Sequence, residues 1–414
     1  MAYRTIKGTH DILPDETRRW QQLENVVHSV AGHYGYNEIR TPIFEDTGLF
    51  SKSVGEDTDI VSKEMYSWED RSGGRLTLRP ELTAPVVRSY IQHNLGARSP
   101  LQKLYYIGPL FRRERPQKGR QRQFHQFGVE AFGSEHPEQD AEVIALAHHI
   151  FEELGILNIS LKLNSIGSAD CRKNYRSALV KFLTPYKDDL SETSQRRLET
   201  NPLRILDTKI PHEQDIIQNA PSIADSWTDE DKNHFESVQS MLSGLNIPYE
   251  LDENLVRGLD YYTRTTFEFV SENLGAQDAI CGGGRYDNLV EMLGGKPTPA
   301  IGFAAGMERI LLSTVMTEQT DEHESIYLIN IEETASIKAL QMAKELRSKG
   351  ITVYMDTKRR SLKAQLRDAN RVGARKAVIL GEDELKNNRV QVKDLLKKEQ
   401  EEVAMDKLIK YFTV

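Results

Sequence analysis

Two predicted strands that flank a basic loop constrain the fold of this 414-residue chain more than any other feature. Residues 103–114 and 123–132 are predicted to form an antiparallel pair. The loop from Arg112 to Arg122 contains six basic residues and one acid. Because side chains alternate between the two faces of a strand, one face of the second strand should pack into a core. That face carries Phe127, Val129 and Ala131.

The opposite face of the pair carries chemically different side chains. It offers a cation, an aromatic ring, an amide and two carboxylates, from Arg112, Phe124, Gln126, Glu114 and Glu130. Arginine binds phosphate oxygens with a fork of donors, and an aromatic ring stacks on a base. Such a surface suits a phosphorylated aromatic ligand. The alternative is the polar outer face of a half-buried sheet, with Arg112 and Glu114 as a surface ion pair.

Two other segments hold polar side chains where the backbone is constrained. Glu81 and Thr83 lie between the two prolines of LRPELTAP (78–85), and a plain helix cap is the alternative explanation for them. Three glycines precede Tyr286 in CGGGRYD (281–287) and allow close approach of the backbone. A tight hairpin bend would explain those glycines equally well.

Two further arginines lie in strand-rich segments. Arg257 belongs to LVRGLDYYTR (255–264), where it meets Tyr262 only if the chain turns or bulges between them. Arg309 belongs to GFAAGMER (302–309), which ends a strand and opens a helix. Close packing of that helix on the strand through small residues is the alternative for this segment.

The order of predicted elements divides the chain into regions. A helix over 15–33 precedes a strand over 37–44, and Pro42 restricts that strand to a sheet edge or a special interface. Residues 170–250 are polar and rich in helix signals, which predicts an inserted subdomain between two strand-rich regions. The other predicted elements of this part are a helix at 139–153, strands at 157–165, 255–270 and 278–285, and a strand-to-helix unit at 299–316.

An acidic stretch, EQTDEHE (318–324), is the predicted linker to a C-terminal domain at 325–414. That domain holds 19 Lys and Arg against 13 Asp and Glu, a net charge of +6, whereas the rest holds 35 against 49, a net charge of −14. A basic domain indicates a polyanionic partner, although many basic surfaces bind nothing.

Alternating elements favour a small α/β domain with a mostly parallel sheet. They are strands at 326–331, 351–355 and 376–380 and helices at 335–348 and 361–372.

Missing patterns exclude several classes of protein. The chain has neither G-x-x-x-x-G-K-[ST] nor G-x-G-x-x-G, so we expect no Walker-type ATPase, protein kinase or Rossmann dehydrogenase. It has no H-E-x-x-H, and two distant cysteines, Cys171 and Cys281, exclude a multi-cysteine zinc site or a disulfide scaffold.

No apolar run approaches the length of a membrane helix, and the N-terminal residues lack an apolar signal region. These features predict a cytoplasmic protein that does not enter a membrane.

Taken in order, these motifs resemble those of the histidyl-tRNA synthetase family of class II aminoacyl-tRNA synthetases, over nearly the whole chain. Class II motifs 1, 2 and 3 are similar to YGYNEIRTPIFE (34–45), FRRERPQKGRQRQFHQFGVEAFG (111–133) and AIGFAAGMERI (300–310). Two histidine-specific signatures of the family resemble LVRGLDYYTR and CGGGRYD.

The resemblance implies an α+β fold. Its parts are a six-stranded antiparallel sheet flanked by helices, a helical insertion and a C-terminal α/β anticodon-binding domain. Motif 1 builds a homodimer interface in this family, which accounts for a proline-bearing edge strand. The implied boundaries are a catalytic core at 1–169 and 251–317, an insertion at 170–250, a linker at 318–324 and an anticodon-binding domain at 325–414.

The implied activity is ATP-dependent ligation of L-histidine to the tRNA for histidine. Histidine attacks the α-phosphate of ATP to give histidyl-adenylate, and the histidyl group then moves to the terminal adenosine of tRNA. Positioned cations stabilise the charge that grows on the α-phosphate. The resemblance places Arg112 and Arg257 at the α-phosphate, Arg309 at the γ-phosphate, Phe124 on adenine and Glu114 near its amino group. Mg²⁺ is expected on the β- and γ-phosphates, held largely by ATP oxygens and water.

The resemblance also implies how histidine is held. A neutral imidazole has one donor and one acceptor nitrogen, so an acid and a tyrosine hydroxyl on opposite sides match both. A ring without those nitrogens leaves polar groups unpaired, which gives strong selection without editing. The implied residues are Glu81, Thr83 and Gln126 for the α-ammonium, Arg257 for the carboxylate, and Glu130, Tyr262 and Tyr286 for the imidazole.

Two basic segments are expected to meet tRNA. The motif 2 loop should contact the acceptor end through its charge, with Gln117 facing the terminal base pair. On the anticodon side, Lys358, Arg359 and Arg360 are candidates from charge alone, and a solvated face is an equal alternative. The acceptor-end candidates are Gln117, Lys118, Arg120 and Arg122.

Two other interpretations remain open. One is a regulatory paralogue that partners the first enzyme of histidine biosynthesis. Such paralogues lack the C-terminal domain and lose signature residues, whereas Arg112, Arg257 and Arg309 are present here. The other is a class II ligase for a different amino acid, against which the intact LVRGLDYY and GGRYD segments argue.

Overall fold

The protein divides into two compact units, Met1–Thr317 and Glu318–Val414. Its structure, a computed structural model, describes residues 3–55, 58–117, 119–156, 158–206, 208–256, 259, 261–271, 279–314 and 325–413. Within those residues, no helix combines the length and the apolar character that crossing a membrane requires. The predicted domain boundaries inside the first unit remain a prediction.

A large sheet forms the centre of the first unit. Six of its strands, in the order β5-β6-β11-β10-β9-β7, are antiparallel, and the two-residue strands β1 and β8 add in parallel at the edges. A separate small sheet has the order β2-β4-β3. The predicted α+β class with a six-stranded antiparallel sheet is confirmed. The strands are β1 (Asn37–Glu38), β2 (Phe44–Asp46), β3 (Tyr66–Glu69), β4 (Arg75–Leu78), β5 (Gln102–Phe111), β6 (Gln123–Phe132), β7 (Ile159–Ser165), β8 (Glu250–Leu251), β9 (Thr263–Ser271), β10 (Ala279–Arg285) and β11 (Ala300–Gly306).

Helices cover one face of this sheet and create the main core. Phe127 and Val129 of β6 are fully buried there, as their alternation predicts. The last helix of the predicted insertion, α8, packs on α4 and contributes Phe235 and Val238 to the same core. The helices of this unit are α1 (Pro14–His33), α2 (Thr47–Val54), α3 (Thr83–Gln92), α4 (Pro137–Glu153), α5 (Ala169–Leu183), α6 (Glu192–Thr200), α7 (Pro211–Ile217), α8 (Asp229–Gly244), α9 (Leu289–Met292) and α10 (Met307–Ser313).

The predicted strand over 37–44 is wrong as a single element. It divides into β1, at the edge of the large sheet, and β2, in the small sheet. Pro42 lies in the break and has no amide proton for a ladder. Instead, the buried guanidinium of Arg79 donates to the carbonyl oxygens of Thr41, at 2.7 Å, and Pro42, at 3.1 Å. The chain therefore passes between two sheets at this point.

Two other strand boundaries differ from the sequence prediction. The strand predicted over 103–114 ends at Phe111, so Arg112 and Glu114 lie beyond the ladder rather than on alternate positions within it. The strand predicted over 255–270 begins only at Thr263. Arg112 and Glu114 after the first strand, and Leu259, Tyr261 and Tyr262 before the second, line a cleft instead of continuing the ladder.

A buried ion pair connects elements that are distant in the chain. Asp140 of α4 accepts hydrogen bonds from Arg285 Nε at 3.0 Å and Thr265 Oγ1 at 2.6 Å, and His234 Nε2 of α8 lies 2.9 Å away. Arg285 also donates to the carbonyl oxygen of Ser134 at 2.7 Å. Burial alone would raise the pKa of Asp140, but the Arg285 charge and these hydrogen bonds hold that pKa below its usual value. The network fixes the end of β10 against α4 and α8.

The second unit is an α/β sandwich around a five-stranded sheet of order β13-β12-β14-β15-β16. The three predicted strands are present and pair in parallel, but two further strands pair antiparallel, so the sheet is mixed rather than mostly parallel. Only Val390, Val392 and Val403 are buried in those two strands, which leaves little apolar pattern to detect. The elements are β12 (Ser325–Asn330), α11 (Ser336–Arg347), β13 (Thr352–Met355), α12 (Leu362–Arg371), β14 (Lys376–Leu380), α13 (Glu382–Lys386), β15 (Arg389–Asp394), β16 (Gln400–Ala404) and α14 (Leu408–Thr413).

Loss of the Asp140 charge tests the buried network. In Asp140→Asn, the Arg285 guanidinium stays buried without its counter-charge, and breaking such a pair costs about 3–5 kcal/mol. Chemical denaturation followed by tryptophan fluorescence measures this in the first unit, because all three tryptophans of the chain lie there. As a control, Glu236→Gln removes an exposed partner of Lys232 and should change the free energy of unfolding by less than about 0.5 kcal/mol. Equal effects of the two variants would contradict a stabilising role for the network.

Candidate active site

A cleft of about 350 Å³ opens on the face of the large sheet opposite the helical core. It is lined by residues of β6, β9, β10 and β11, by the starts of α3 and α10, by the loop after β5 and by the chain before β9. Residues from six separate parts of the sequence meet here. The predicted site residues that line it are Glu81, Thr83, Arg112, Glu114, Arg120, Phe124, Gln126, Glu130, Tyr262, Tyr286 and Arg309.

Glu130 lies at the bottom of one end of the cleft and is 1% exposed. Its Oε1 accepts hydrogen bonds from Thr83 Oγ1 at 2.8 Å and Tyr106 Oη at 3.1 Å, and its Oε2 accepts one from Tyr286 Oη. Burial raises the pKa of Glu130 to about 8, although the three hydroxyl donors act in the opposite direction. Each carboxylate oxygen has two lone pairs, so Oε2 can still accept a hydrogen bond from a ligand.

Two glycines make room for this carboxylate. Gly302 of β11 lies directly opposite Glu130, and a Cβ there would lie 1.9 Å from Glu130 Oε2. Gly128 of β6 lies between Gln126 and Glu130 on the same face, and its Cβ would lie 2.4 Å from Tyr106 Oη. Any larger residue at either position would displace the acid or one of its donors.

A second acid, Glu81, lies at the start of α3. Its carboxylate accepts from the backbone amides of Thr83 at 2.7 Å and Ala84 at 3.0 Å, so it caps the helix as the alternative interpretation held. It also lines the cleft, and Thr83 connects it to Glu130. Burial raises the pKa of Glu81 to about 7 against the effect of those amides. A cation placed beside it would lower that pKa and be held as its counter-charge.

Arg112 and Phe124 form the floor of the middle of the cleft. The Arg112 guanidinium lies 5.2 Å from the centroid of the Phe124 ring, and its Nε donates to the carbonyl oxygen of Pro80 at 2.9 Å. Arg112 Nη1 and Glu114 Oε1 are 3.8 Å apart, so the surface ion pair of the alternative interpretation is loose. Glu114 Oε2 is buried and lies 3.3 Å from Arg120 Nη1, an ion pair without hydrogen-bond geometry within the part of the chain that the structure describes. A carboxylate oxygen has two lone pairs, so this oxygen can also accept from a ligand amino group.

The other end of the cleft is positively charged. Arg309 donates to the carbonyl oxygens of Ala279 at 2.7 Å and Gly119 at 3.2 Å, which holds the motif 2 loop against α10. Burial lowers the pKa of Arg309, and the nearby positive charges of Arg120 and Arg112 lower it further. Guanidinium groups stay charged in proteins, so this pKa shift reflects burial of a charge first and repulsion by Arg120 and Arg112 second, and an anion in the cleft would relieve the repulsion.

Three residues of the site were not predicted from the sequence. Tyr106 donates to Glu130, and Tyr261 lines the cleft with its ring centroid 5.5 Å from that of Tyr286. Glu308 accepts from the His125 backbone amide at 2.9 Å and fixes β6 against α10. The period-two rule could have identified Tyr106, because it lies opposite Gly128 on β5. No pattern distinguishes Tyr261 from its neighbour Tyr262.

Some predicted residues lie elsewhere. Arg257 and Lys118 fall outside the described residues, so their roles remain predictions. Gln117 forms a tight turn with Arg120, through backbone hydrogen bonds of 3.1 and 2.9 Å, but does not line the cleft. Arg122 packs beside Gly8, whose carbonyl oxygen accepts from its backbone amide at 2.7 Å. Their contact with RNA remains a prediction.

The basic residues predicted in the second unit are partly neutralised. Arg359 pairs with Glu333 at 2.8 Å on the surface. Arg360 pairs with Asp356 at 2.5 Å and Asp368 at 2.8 Å, and the hydrogen bond from Arg360 lowers the pKa of Asp368 to about 2. Lys358 donates its backbone amide to Asp356. Arg360 therefore has a structural role whether or not it contacts a ligand.

Protein ligands for a metal are scarce in this cleft. Across the described ranges, no group of three or more His, Cys, Asp and Glu side chains is placed to hold a metal ion. At the arginine-rich end, Glu268 supplies a carboxylate close enough to raise the pKa of Arg309 slightly against the other effects. A Mg²⁺ ion that keeps most of its ligands from phosphate and water fits such a site, and an all-protein metal centre does not.

Comparisons with known proteins agree over nearly the whole chain. A family model described as histidyl-tRNA synthetase matches residues 8–310, and one described as anticodon binding domain matches residues 325–414. The chain is 49% identical to a histidine–tRNA ligase of Crocosphaera subtropica, over 98% of this chain and 94% of that protein. It is also 49% identical to a histidine–tRNA ligase of Bacillus velezensis, over 99% and 98%. A crystal structure of histidyl-tRNA synthetase from S. aureus has 38% identity and a TM-score of 0.85, over 100% of both chains.

Ionisation of Glu130 gives a testable dependence of stability on pH. Because its pKa is about 8 in the folded protein and the usual value is 4.5, the stabilising contribution is complete below pH 4.5 and is lost as the pH rises through 8. The amide in Glu130→Gln cannot ionise. As the pH rises from 6 to 9, the unmodified protein should therefore lose about 2 kcal/mol of its free energy of unfolding relative to the variant.

The measurement is urea unfolding followed by tryptophan fluorescence at both pH values. Glu236→Gln serves as the control, since Glu236 is exposed and should show the same dependence as the unmodified protein. A difference between Glu130→Gln and the unmodified protein that stays constant with pH would contradict the raised pKa.

Proposed function

The chain belongs to the histidyl-tRNA synthetase family, and we propose that it ligates L-histidine to the tRNA for histidine through a histidyl-adenylate formed in this cleft. One observation supports this proposal above the others. Buried acids and tyrosines lie at one end of the cleft, arginines lie at the other, and an aromatic ring lies between them. This order of groups matches an amino acid with an ammonium group and a heteroaromatic ring beside a nucleoside triphosphate.

For the ATP, we propose that Arg112 holds the α-phosphate and Arg309 the γ-phosphate. The attacking carboxylate and the α-phosphate are both anionic, so the barrier falls when fixed cations lie beside the phosphorus that gains charge. Arg112 is fixed by its bond to Pro80, and its charge lies over Phe124, which has a face for adenine. Arg257 is predicted to approach the α-phosphate and the carboxylate from the opposite side. Mg²⁺, bound mainly through phosphate oxygens, would supply further charge neutralisation at the arginine-rich end.

For the imidazole, we propose that Glu130 accepts a hydrogen bond from one ring nitrogen. Its Oε2 has a lone pair available beside the hydroxyl of Tyr286. A tyrosine hydroxyl, with Tyr262 as the candidate on the cleft wall, then donates to the other nitrogen. A phenyl ring of similar size would leave Glu130 and the tyrosine hydroxyl unpaired in a dry pocket, which costs more than a lost methylene contact.

For the α-ammonium group, we propose Glu81, Thr83 and Gln126 as ligands. Glu81 is buried with a pKa near neutrality. An ammonium group beside it stabilises the carboxylate form of Glu81, and that carboxylate then binds the ammonium group. Gln126 lies on the same face of β6 as Glu130 and supplies a neutral acceptor. The ammonium group and the imidazole are thereby bound at neighbouring points of one strand.

For tRNA, we propose contacts by both units. Arg120 at the tip of the motif 2 loop lines the cleft, where the acceptor end must deliver its terminal ribose. Residues 325–414 match an anticodon-binding family model and carry the net charge of +6. Arg359 and Lys358 are exposed there and are candidates for phosphate contacts. The predicted boundaries at 169, 250 and 317 would then separate core, insertion and anticodon-binding parts.

We place the protein in the cytoplasm, where aminoacylation for translation occurs. Both cysteines, Cys171 and Cys281, are buried thiols, which suits a reducing compartment. The two cysteines are also far apart in the sequence, so they do not form the closely spaced pair that a local disulfide needs, which agrees with a reducing compartment.

Pyrophosphate exchange into ATP in the presence of histidine tests the proposed function. In Arg112→Ala, loss of one positioned cation should lower the exchange rate about 10²–10³-fold. The matched control is Arg113→Ala, because Arg113 is the next residue but points to the Tyr66 ring, 5.8 Å from its centroid, instead of lining the cleft. Equal activity of the two variants would remove Arg112 from the reaction, and absence of exchange in the unmodified, folded protein would favour a regulatory paralogue.

We also propose a homodimer that forms through the small sheet. Ile43 and Phe44, which belong to motif 1, and Trp68 of β3 are 45%, 53% and 40% exposed, and the Phe44 and Trp68 rings are in contact with centroids 6.2 Å apart. Such an apolar group on a surface indicates an interface. Phe44→Glu should give a monomer in sedimentation, whereas Leu245→Glu, at an equally exposed position elsewhere, should not. A dimer that survives Phe44→Glu unchanged would exclude this face.

A further inference from the structure

A second cleft opens from the arginine-rich end of the first one. Its volume is about 570 Å³. Arg120, Glu268, Ala279 and Arg309 line both clefts, so the two are continuous at that end. Glu130 and Tyr286, at the opposite end of the first cleft, do not line the second one. A molecule that leaves the arginine-rich end therefore enters the second cleft without passing the amino acid pocket.

The walls of the second cleft come from the sheet and from the predicted insertion. Lys162 of β7 lies in the wall formed by the sheet, and the segment from Thr208 to Gln218 forms the wall from the insertion. The insertion segment is held firmly, because buried Glu213 accepts from Ser194 Oγ at 2.9 Å and from the backbone amide of Ser191 at 2.7 Å. The backbone that carries the cleft-lining side chains of this segment is therefore held in position.

The second cleft carries an excess of positive charge. Among the described residues that line it, four are basic and two are acidic, which leaves a net charge of +2 for this set. One of the acids, Asp252, lies 3.5 Å from Lys162 Nζ, and the other, Glu268, belongs to the shared end. Amide side chains supply uncharged donors, whereas the Thr208 hydroxyl already donates to Glu213. The basic residues are Arg120, Lys162, Lys209 and Arg309, and the uncharged donors are Gln214, Gln218 and Asn254.

We propose that this second cleft is a product subsite for inorganic pyrophosphate, with Lys209 and Lys162 as its cationic side chains. The proposal rests on the proposed function. In that reaction a histidine carboxylate oxygen forms a bond to the α-phosphorus, and the bond from that phosphorus to the oxygen bridging to the β-phosphate breaks. The electron pair of the broken bond leaves with pyrophosphate, and no further reactant is needed. The adenylate remains beside Arg112, while pyrophosphate is released beside Arg309, next to the second cleft.

The charge and position of the second cleft favour pyrophosphate over the end of an RNA chain. The terminal ribose of tRNA must reach the histidyl carbonyl, which lies toward Glu81 and Glu130 and away from this cleft. A small, highly charged anion is also bound better by several cations within a concave site than by one exposed lysine. The subsite gives the predicted insertion a role in the first step of the reaction.

Equilibrium binding of radiolabelled pyrophosphate to the full-length protein tests the proposal. The protein is first loaded with a non-hydrolysable analogue of histidyl-adenylate, which fills the first cleft except at its phosphate-leaving end. Removal of one charge-assisted contact in Lys209→Ala should weaken pyrophosphate binding about three- to tenfold. Lys209→Arg should bind as the unmodified protein does. The matched control is Lys181→Ala, since Lys181 is exposed on α5 and lines neither cleft.

The possible outcomes separate this proposal from the proposed function. Binding of the analogue, measured before pyrophosphate is added, reports on the proposed function alone. Pyrophosphate binding to the same variants is also measured without the analogue. Equal pyrophosphate affinity of the unmodified protein and Lys209→Ala would overturn the subsite. A raised KM for tRNA in Lys209→Ala with unchanged pyrophosphate affinity would also overturn it and identify RNA as the occupant.

Discussion

The burial of one carboxylate, that of Glu130, determines how the first unit is built around its cleft. An acid at this depth costs free energy unless several donors reach it and no neighbour crowds it. Three hydroxyls from α3, β5 and the end of β10 supply the donors, and Gly302 of β11 supplies the space. Four elements are thus required to meet at a single side chain. On the far side of Tyr286, the ion pair between Arg285 and Asp140 fixes the same end of β10 to the helical layer.

The cleft then separates charge along its length. Buried acids at one end attract the two basic groups of an amino acid, and arginines at the other end attract a polyphosphate. The reacting carboxylate and α-phosphate meet between these ends, beside Arg112. Because the donors and charges are fixed by packing and by backbone hydrogen bonds, they need not reorganise as charge develops, which is the main source of electrostatic catalysis. Charge is also divided along the sequence, with a net charge of −14 over residues 1–324 and of +6 over residues 325–414.

Strong periodic patterns made much of the fold predictable. Strand β6 and helix α1 match their predicted ranges closely, because each carries buried apolar residues at the spacing of its own type of element. The strand predicted over 37–44 was wrong because a side chain distant in sequence, Arg79, takes the carbonyl oxygens that a ladder would use. The hairpin of β15 and β16 escaped detection because it buries few residues. At the site, motifs indicated which residues converge, whereas Gly302 matters through a contact across the sheet that spacing along the chain does not reveal.

Selection by both ring nitrogens of histidine is the central claim, and methylated substrates test it most directly. Pyrophosphate exchange should be measured with histidine, with each of the two ring-methylated histidines and with the other standard amino acids. The account predicts exchange with histidine, and a loss of several orders of magnitude when either nitrogen is methylated, since each nitrogen has its own partner in the pocket. Efficient exchange with either methylated form, or with an amino acid that lacks the imidazole, would contradict it.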